Sequence, residues 1–155
     1  HHAGRARAGG FCYFNNVAIG ALYAQLRGFP RVAVLDFDAH HGDGTEEILA
    51  GRENLHFWSL FQWPLYPDRK MTPAPENVTQ SPLAVGADGS DLKTLLEEVW
   101  IPQLRDFRPD FIFLSAALTP TTKSTWRSSN SPKWTSPTSR GASPRKPKTS
   151  AADDS

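Results

Sequence analysis

The amino-acid sequence predicts an α/β protein in which helices flank a parallel β-sheet. Segments with helical periodicity alternate with short apolar segments typical of strands, which is the order found in βαβ units. The first of these apolar runs, residues 31–35, is continuous, as in a strand that is buried on both faces. The length of 155 residues allows one domain at most.

The first predicted helix precedes that strand. It begins at Asn15 or Asn16, either of which can cap its amino end. It ends at Gly28 and Pro30, because glycine closes helices and proline cannot continue them. The strand at 31–35 therefore starts immediately after a helix, as a βαβ arrangement requires.

The following elements are predicted from glycine, proline and apolar positions. Glycines in residues 41–44 indicate a loop leading into a short helix at 45–50, and residues 54–60 predict a second strand. The polar, proline-rich stretch 63–89 predicts a surface loop. Asp91 then caps a helix whose apolar positions share one side, namely Leu92, Leu95, Leu96, Val99 and Leu104.

Pro102 can kink the last helix, and residues 109–114 predict a third strand.

Composition divides the chain in two. After Ala116 the character changes: residues 117–155 contain 21 Ser, Thr or Pro among 39 positions and no Val, Ile or Phe. Such a segment buries too little apolar surface to offset the entropy of ordering it. We expect a partial catalytic domain at 1–116 and a disordered basic tail at 117–155.

Overall composition excludes several classes of protein. The net charge of +1 excludes a uniformly basic nucleic-acid binder. A single cysteine, Cys12, excludes a disulfide framework and favours a reducing, cytoplasmic location. No apolar run reaches the roughly 20 residues that span a bilayer. The chain starts with His1 and its only methionine is Met71, so we expect a central fragment of a longer protein.

Chemistry-bearing residues concentrate where the first predicted strand ends. Residues 36–43 hold three carboxylates and two imidazoles, and ligands bind at the carboxyl ends of strands in open α/β sheets. Asp38 and His40 lie two apart, so an extended chain directs both to one face. They would supply two of the three protein ligands of a catalytic zinc site. The alternative is a polar loop with solvated charges.

A second histidine pair, His1 and His2, opens the chain. Two terminal histidines often remain from a purification tag. The small-residue and aromatic turn that follows at residues 9–16 argues against a tag, because it leads directly into the capped helix.

These segments together resemble the zinc-dependent histone deacetylase superfamily, which includes acetylpolyamine amidohydrolases and has an arginase/deacetylase-like fold. The resemblance rests on five motifs: His1-His2-Ala3, Gly10-Phe11-Cys12, Asn15-Asn16-Val17-Ala18, the run from Asp36 to Thr45, and the run from Ser59 to Pro67. It covers residues 1–116 and is greatest to class II and bacterial members.

The resemblance implies roles for the histidines. His1 and His2 resemble the tandem histidines that handle protons on the metal-bound water and on the leaving amine. Asp36 resembles the carboxylate partner of His1, and Asp43 that of His2. Such a pair fixes the imidazole tautomer and raises its basicity.

The resemblance also implies metal ions and a substrate class. Asp38 and His40 resemble two of three zinc ligands, and a structural potassium ion is implied at Asp36, Asp38, His40, Ser59 and Leu60. Gly10 and Phe11 resemble one wall of a channel for the acyl-lysine stem. The implied reaction is hydrolysis of acetylated lysine, acetylated polyamines or related small amines, with no membrane partner.

Two segments depart from the family. Asp68-Arg69-Lys70 replaces a Gly-Thr-Gly turn. Residues 117–121 replace Gly-Phe-Asp-Ala-His, whose Asp is the third zinc ligand, and the Gly-Gly-Tyr segment with the oxyanion tyrosine is absent. The codons of residues 117–121, read one frame over, all admit Gly-Phe-Asp-Ala-His, so we interpret the tail as a frameshift product. A natural basic extension is the alternative.

Three functions remain open from the sequence. The first is a deacetylase, of which this chain is a damaged or partial copy. The second is a non-catalytic remnant with weak metal binding. The third is a module that binds nucleic acid or another partner through the tail, where Lys and Arg accompany Trp126 and Trp134. We favour the first for the gene and the second for this polypeptide, and nucleic acid is the least favoured partner.

Overall fold

The computed structural model describes residues 1–67 and 73–116. The predicted tail at 117–155 and the departure at residues 68–70 lie outside this part. Four strands form one sheet: β1 (Val32–Asp36), β2 (Leu55–Trp63), β3 (Val78–Ala84) and β4 (Phe111–Ser115). Their order is β3-β2-β1-β4 and every pairing is parallel. The described helices are α1 (Asn16–Leu26), α2 (Asp43–Leu49), α3 (Gly89–Leu95) and α4 (Ile101–Phe107). The predicted fold class, a parallel sheet flanked by helices, is confirmed.

Strand β1 is buried along its whole length, as its continuous apolar run predicts. Successive side chains of a strand point to opposite faces. Val32 and Val34 join a core that includes alanines of α1 and Leu49 of α2. Ala33 and Leu35 join a second core with Trp58, Leu60 and Trp100, against which the apolar side of the last helical segment packs. Helices therefore cover both faces of β1.

Helix α1 begins and ends where its sequence predicts. The Asn15 side chain accepts a hydrogen bond from the Ala18 N–H at 3.0 Å, which satisfies one of the unpaired donors of the first turn. At the other end, Gly28 adopts a φ of 96°, a conformation that glycine tolerates without strain.

The surface loop predicted at 63–89 was wrong in part, because residues Val78–Ala84 form β3. Thr79, Gln80 and Ser81 give this strand a polar composition, and Pro82 is unusual inside a sheet. β3 is an outer strand of the four and pairs on one side with β2. Because an outer strand tolerates proline, β3 can have the polar, proline-containing composition that is typical of a loop.

The last helical segment differs in detail from the prediction. Its amino cap is Asp88 rather than Asp91, and Asp91 completes a capping box by accepting from the Asp88 N–H at 2.9 Å. Residues Leu96–Trp100 form a π-helical stretch between α3 and α4, two residues before Pro102. The irregularity that Pro102 predicts thus precedes the proline.

The parallel sheet places its functional residues at one edge. Asp36 is the last residue of β1, and its register partners are Ser59 on β2 and Ser115 on β4. The carboxyl ends of these strands therefore converge where ligands bind in α/β folds. Within residues 1–67 and 73–116, no helix combines the length and apolar character needed to cross a bilayer.

Candidate active site

The first histidine–carboxylate pair joins the start of the chain to the end of β1. His1 Nδ1 lies 2.6 Å from Oδ2 of Asp36, and the Asp36 side chain is fully buried. The other oxygen, Oδ1, accepts a hydrogen bond from the backbone N–H of Asp38 at 3.1 Å. Asp36 is thus fixed by its strand and by the following loop, and it holds His1 in one orientation.

The second pair uses the first residue of α2. His2 Nδ1 lies 2.8 Å from Oδ1 of Asp43, and both side chains are almost completely buried. The Nε2 atoms of His1 and His2 approach each other to 3.1 Å. Both imidazoles therefore have Nδ1 on a carboxylate and Nε2 at a common point, which is the pairing that the family resemblance implies.

A polar network under the histidines fixes their backbone. The Asn15 amide donates to the carbonyl oxygens of His1 and Ala3 and to the Thr45 hydroxyl. The Thr45 N–H also donates to the His1 carbonyl at 2.9 Å. Asn15 consequently has two tasks, since its oxygen caps α1 while its amide holds the His1–Ala3 backbone.

Two glycines allow the histidine segment to lie close to its neighbours. A Cβ at Gly10 would lie 2.7 Å from His2 Cδ2, and its φ of 55° also disfavours other residues. A Cβ at Gly44 would lie 2.5 Å from the His2 carbonyl carbon and would clash with the Ala3 carbonyl oxygen. The neighbours of Gly44 are backbone atoms of His2 and Ala3, which cannot move aside without moving the chain.

Gly44→Ala should therefore displace the His1–Ala3 segment and destabilise the fold by about 1–3 kcal/mol, the usual cost of overpacking. Gly89→Ala is the matched control, because nothing lies within 4 Å of a Cβ at Gly89. Urea unfolding of both variants measures the difference in the free energy of unfolding. Equal stabilities of the two variants would contradict the clash at Gly44.

The site combines buried charges whose pKa values respond to one another. Burial lowers the pKa of His1, but the hydrogen bond and charge of Asp36, with the charges of Asp38 and Asp43, outweigh burial and raise it. Burial raises the pKa of Asp43, but the hydrogen bond from His2 and the charge of Arg7 outweigh burial and lower it. Asp43 is therefore held as a carboxylate, ready to accept from His2.

Asp38 and His40 form a donor pair of the right kind for zinc. Oδ1 of Asp38 lies 2.8 Å from Nδ1 of His40, within hydrogen-bond distance, and a carboxylate oxygen and an imidazole nitrogen are both ligand types that zinc takes. Within the described residues, no group of three or more His, Cys, Asp or Glu side chains could hold a metal ion. The donors fit zinc in type and supply two of the usual three.

The residues implied for potassium lie at the end of β1, in the loop that follows it, and in the neighbouring strand β2. Asp36 and Ser59 are register partners, and both are fully buried, as is Leu60. Oxygen atoms of backbone and hydroxyl groups are the donors that potassium takes. The Ser59 hydroxyl also lies 3.0 Å from Nδ1 of His41, an interaction that the sequence analysis did not include.

One cavity of about 620 Å³ is lined by six of the predicted residues and by Tyr66. Its lining comprises His1, His2, Gly10, Phe11, Asp38, His40 and Tyr66. The Phe11 side chain is fully exposed at the rim, and its φ of 64° is rare for a residue with a side chain. The Tyr66 ring meets His2 edge-on with centroids 4.9 Å apart. This lining gives the cavity an aromatic mouth and a polar floor.

Three residues near the site were not predicted as functional. Tyr66 belongs to a family motif, but its sequence position gives no indication that it faces His2. Arg7 gives no signal in the sequence, because an arginine in a polar loop is usually solvated. Asn15 is predicted as a helix cap and belongs to a family motif, but neither predicts its contacts with the His1–Ala3 backbone. All three act through contacts between segments that are distant in sequence.

The family model for the histone deacetylase domain matches residues 1–125, so the match extends past residue 116. A probable deacetylase of Archaeoglobus fulgidus is 39% identical over 122 residues, covering 75% of this chain and 34% of that protein. Acetylpolyamine amidohydrolase 2 of Pseudomonas aeruginosa is 36% identical over 124 residues, covering 74% of this chain and 36% of that protein.

A solved structure gives the same result. The crystal structure of the HDA15 HD domain superposes with a TM-score of 0.69 at 32% identity, covering 74% of this chain and 36% of that chain. This chain therefore spans little more than a third of the length of these proteins. The site geometry, the family model and these relatives agree, and the chain belongs to the histone deacetylase family.

Proposed function

We propose that this chain is part of a zinc-dependent deacetylase that hydrolyses the amide of acetyl-lysine or of a related acetylated amine. The observation that carries the proposal is the convergence of two histidine–carboxylate pairs on one cavity that also holds Asp38 and His40. The printed names of the relatives, deacetylase and acetylpolyamine amidohydrolase, support the same class of substrate.

Asp38 and His40 would hold the zinc, together with a third ligand that the family carries in the segment replaced by residues 117–121. Bound zinc would polarise the amide carbonyl and its own water. Backbone carbonyls near Asp36, Asp38, His40 and Leu60, together with Ser59, would hold potassium as a structural ion.

The chain's own residues would move the protons. Asp36 and Asp43 occupy the Nδ1 positions of His1 and His2, which leaves both Nε2 atoms directed at the cavity. One imidazole can accept a proton from the attacking water, and an imidazolium can donate one to the leaving amine. The raised pKa of His1 favours its role as the proton donor.

The mouth of the cavity would select the substrate. Phe11 and Tyr66 offer apolar faces on the path to His2, and Gly10 leaves room beside its ring. The aliphatic stem of an acetylated lysine or diamine suits this aromatic lining because its methylene groups bury apolar surface. We place the protein in the cytoplasm, where its exposed Cys12 stays reduced.

The frame-corrected chain is the one in which the residues after Ala116 are read in the neighbouring frame to the end of the domain. It should hydrolyse an acetyl-lysine reporter or an acetylated diamine, lose this activity to a chelator, and regain it with zinc. A fluorogenic reporter measures the turnover. Hydrolysis that persists in chelator would contradict the zinc dependence, and failure on every acetylated amine would contradict the function.

A non-catalytic remnant is the second candidate for the 155-residue polypeptide itself. The observation that favours it is the presence of two metal donors rather than three within the described residues. Such a chain would bind zinc weakly, because a zinc site normally needs at least three protein ligands. Retention of one zinc per chain after dialysis, without turnover, would require a coordinating residue in the tail.

A further inference from the structure

Arg7 connects the second histidine pair to helix α2. Its Nη2 lies 2.7 Å from Oδ2 of Asp43, and its Nε lies 3.0 Å from Oε2 of Glu47. Its Nη1 donates to the carbonyl oxygen of His2 at 2.9 Å. One guanidinium therefore contacts the backbone of His2, the carboxylate partner of His2, and a second carboxylate one helical turn further along α2.

These contacts divide the Asp43 carboxylate between two groups. Oδ1 faces Nδ1 of His2 and Oδ2 faces Arg7, while the Asp43 side chain is only 5% exposed. A carboxylate with one oxygen fixed by a guanidinium can turn little about its last torsion. The position of Oδ1, and with it the orientation of the His2 ring, thus depends on Arg7.

The first pair is held differently. Asp36 lies in β1, and its second oxygen accepts a hydrogen bond from the Asp38 backbone. Asp36 is therefore fixed by the sheet and its loop, whereas one oxygen of Asp43 contacts a side chain from the loop that follows His2. The loop itself is fastened to α2, because Glu47 also accepts from the Arg5 N–H at 3.0 Å.

We propose that Arg7 is a positioning residue for the reaction, acting on His2 through Asp43; this rests on the proposed deacetylase function. Arg7 keeps Oδ1 of Asp43 in line with the Nδ1–H of His2, so that Nε2 of His2 stays beside Nε2 of His1 in the cavity lining. The guanidinium is suited to this task because its planar fork reaches three acceptors at once. A lysine ammonium at the same position carries the charge but not the fork.

The test compares Arg7→Gln, Arg7→Lys and the control Arg5→Gln. Arg5 comes from the same loop and donates to the backbone carbonyls of Glu47 and Ile48 on α2. These side-chain contacts of Arg5 lie on α2 and involve neither Asp43 nor His2. Arg5→Gln therefore disturbs the loop while leaving the contact between His2 and Asp43 in place. Arg7→Lys keeps the assay decisive if Arg7→Gln fails to fold.

The first measurement does not depend on turnover. Nitrogen-15 NMR of the histidine-labelled 155-residue chain, kept dilute and at the same pH for every variant, reports which His2 nitrogen carries the proton. We expect the Nδ1–H tautomer in the unmodified chain and in Arg5→Gln, and a mixture with the Nε2–H tautomer in both Arg7 variants. An unchanged His2 tautomer in the Arg7 variants would overturn the proposal.

The second measurement uses the frame-corrected chain. We expect Arg7→Gln to lower kcat by about 10–100-fold with KM and zinc content little changed, the range for partners of catalytic ligands. Arg7→Lys should retain part of the activity. A fall in kcat as large in Arg5→Gln as in Arg7→Gln would reduce Arg7 to a structural role. Absence of turnover in every chain would refute the proposed function, while the tautomers would still decide the role of Arg7.

Discussion

Asp38→Asn in the frame-corrected chain should abolish zinc retention and lower kcat on the order of 10³-fold or more, because several kcal/mol of transition-state stabilisation depend on the metal. Asp43→Asn should keep its zinc and lose about 10–100-fold in kcat. Both changes replace a carboxylate by an amide of nearly the same shape, so steric effects are matched. The difference between them isolates the metal.

The two substitutions should differ in effect because the carboxylates of Asp38 and Asp43 contact different groups. Asp38 shares a 2.8 Å contact with His40, the other proposed zinc donor, and its second oxygen lies 3.9 Å from Nε2 of His1. Asp43 instead contacts His2 and Arg7. Loss of charge at Asp38 would remove a proposed metal ligand, whereas loss of charge at Asp43 removes the acceptor of the hydrogen bond from His2.

Metal analysis after dialysis and kcat on an acetyl-lysine reporter measure the two effects separately. Asp110→Asn is the control, since Asp110 is a partly exposed carboxylate that pairs with Arg31 far along the chain from the histidines. It should retain both zinc and turnover. Equal loss of zinc in Asp38→Asn and Asp43→Asn would refute this division of roles.

The fold was predictable where local signals and burial agree. The apolar run of β1 and the asparagine cap of α1 each specify their element within a few residues, because the core and the cap depend on adjacent positions. β3 was not predictable in this way. Its buried Ser81 accepts a hydrogen bond from Nε1 of Trp100. The partner that allows this polar residue to be buried lies 19 residues further along the chain.

The site was predictable only in its contiguous parts. The run from Asp36 to Asp43 can be identified because its residues are neighbours in sequence. The contact of Arg7 with Asp43 and the clash that Gly44 avoids with His2 both depend on how the first loop packs against α2. No periodicity or spacing encodes that packing, since it joins segments about 40 residues apart.

The largest expected contrast is between the 155-residue polypeptide and the frame-corrected chain. β4 is an outer strand of the described sheet, and Phe111, Ile112 and Leu114 on it are 38–68% exposed. Residues 117–155 contain no Val, Ile or Phe. Exposed apolar residues on an outer strand favour association between chains. We therefore propose that the polypeptide aggregates as its concentration rises and is inactive on acetyl-lysine.

Restoring one base near codon 117 should reverse both properties. In the neighbouring frame, position 119 admits aspartate, the third zinc ligand that the family resemblance implies, and the following sequence can supply strands beyond β4. Light scattering and reporter turnover, with a hydroxamate as inhibitor, compare the two chains side by side. If the 155-residue chain deacetylates the reporter and the frame-corrected chain does not, the frameshift interpretation is wrong. It is equally wrong if the DNA at codons 117–121 cannot encode Gly-Phe-Asp-Ala-His, because the third ligand would then have no source in this gene.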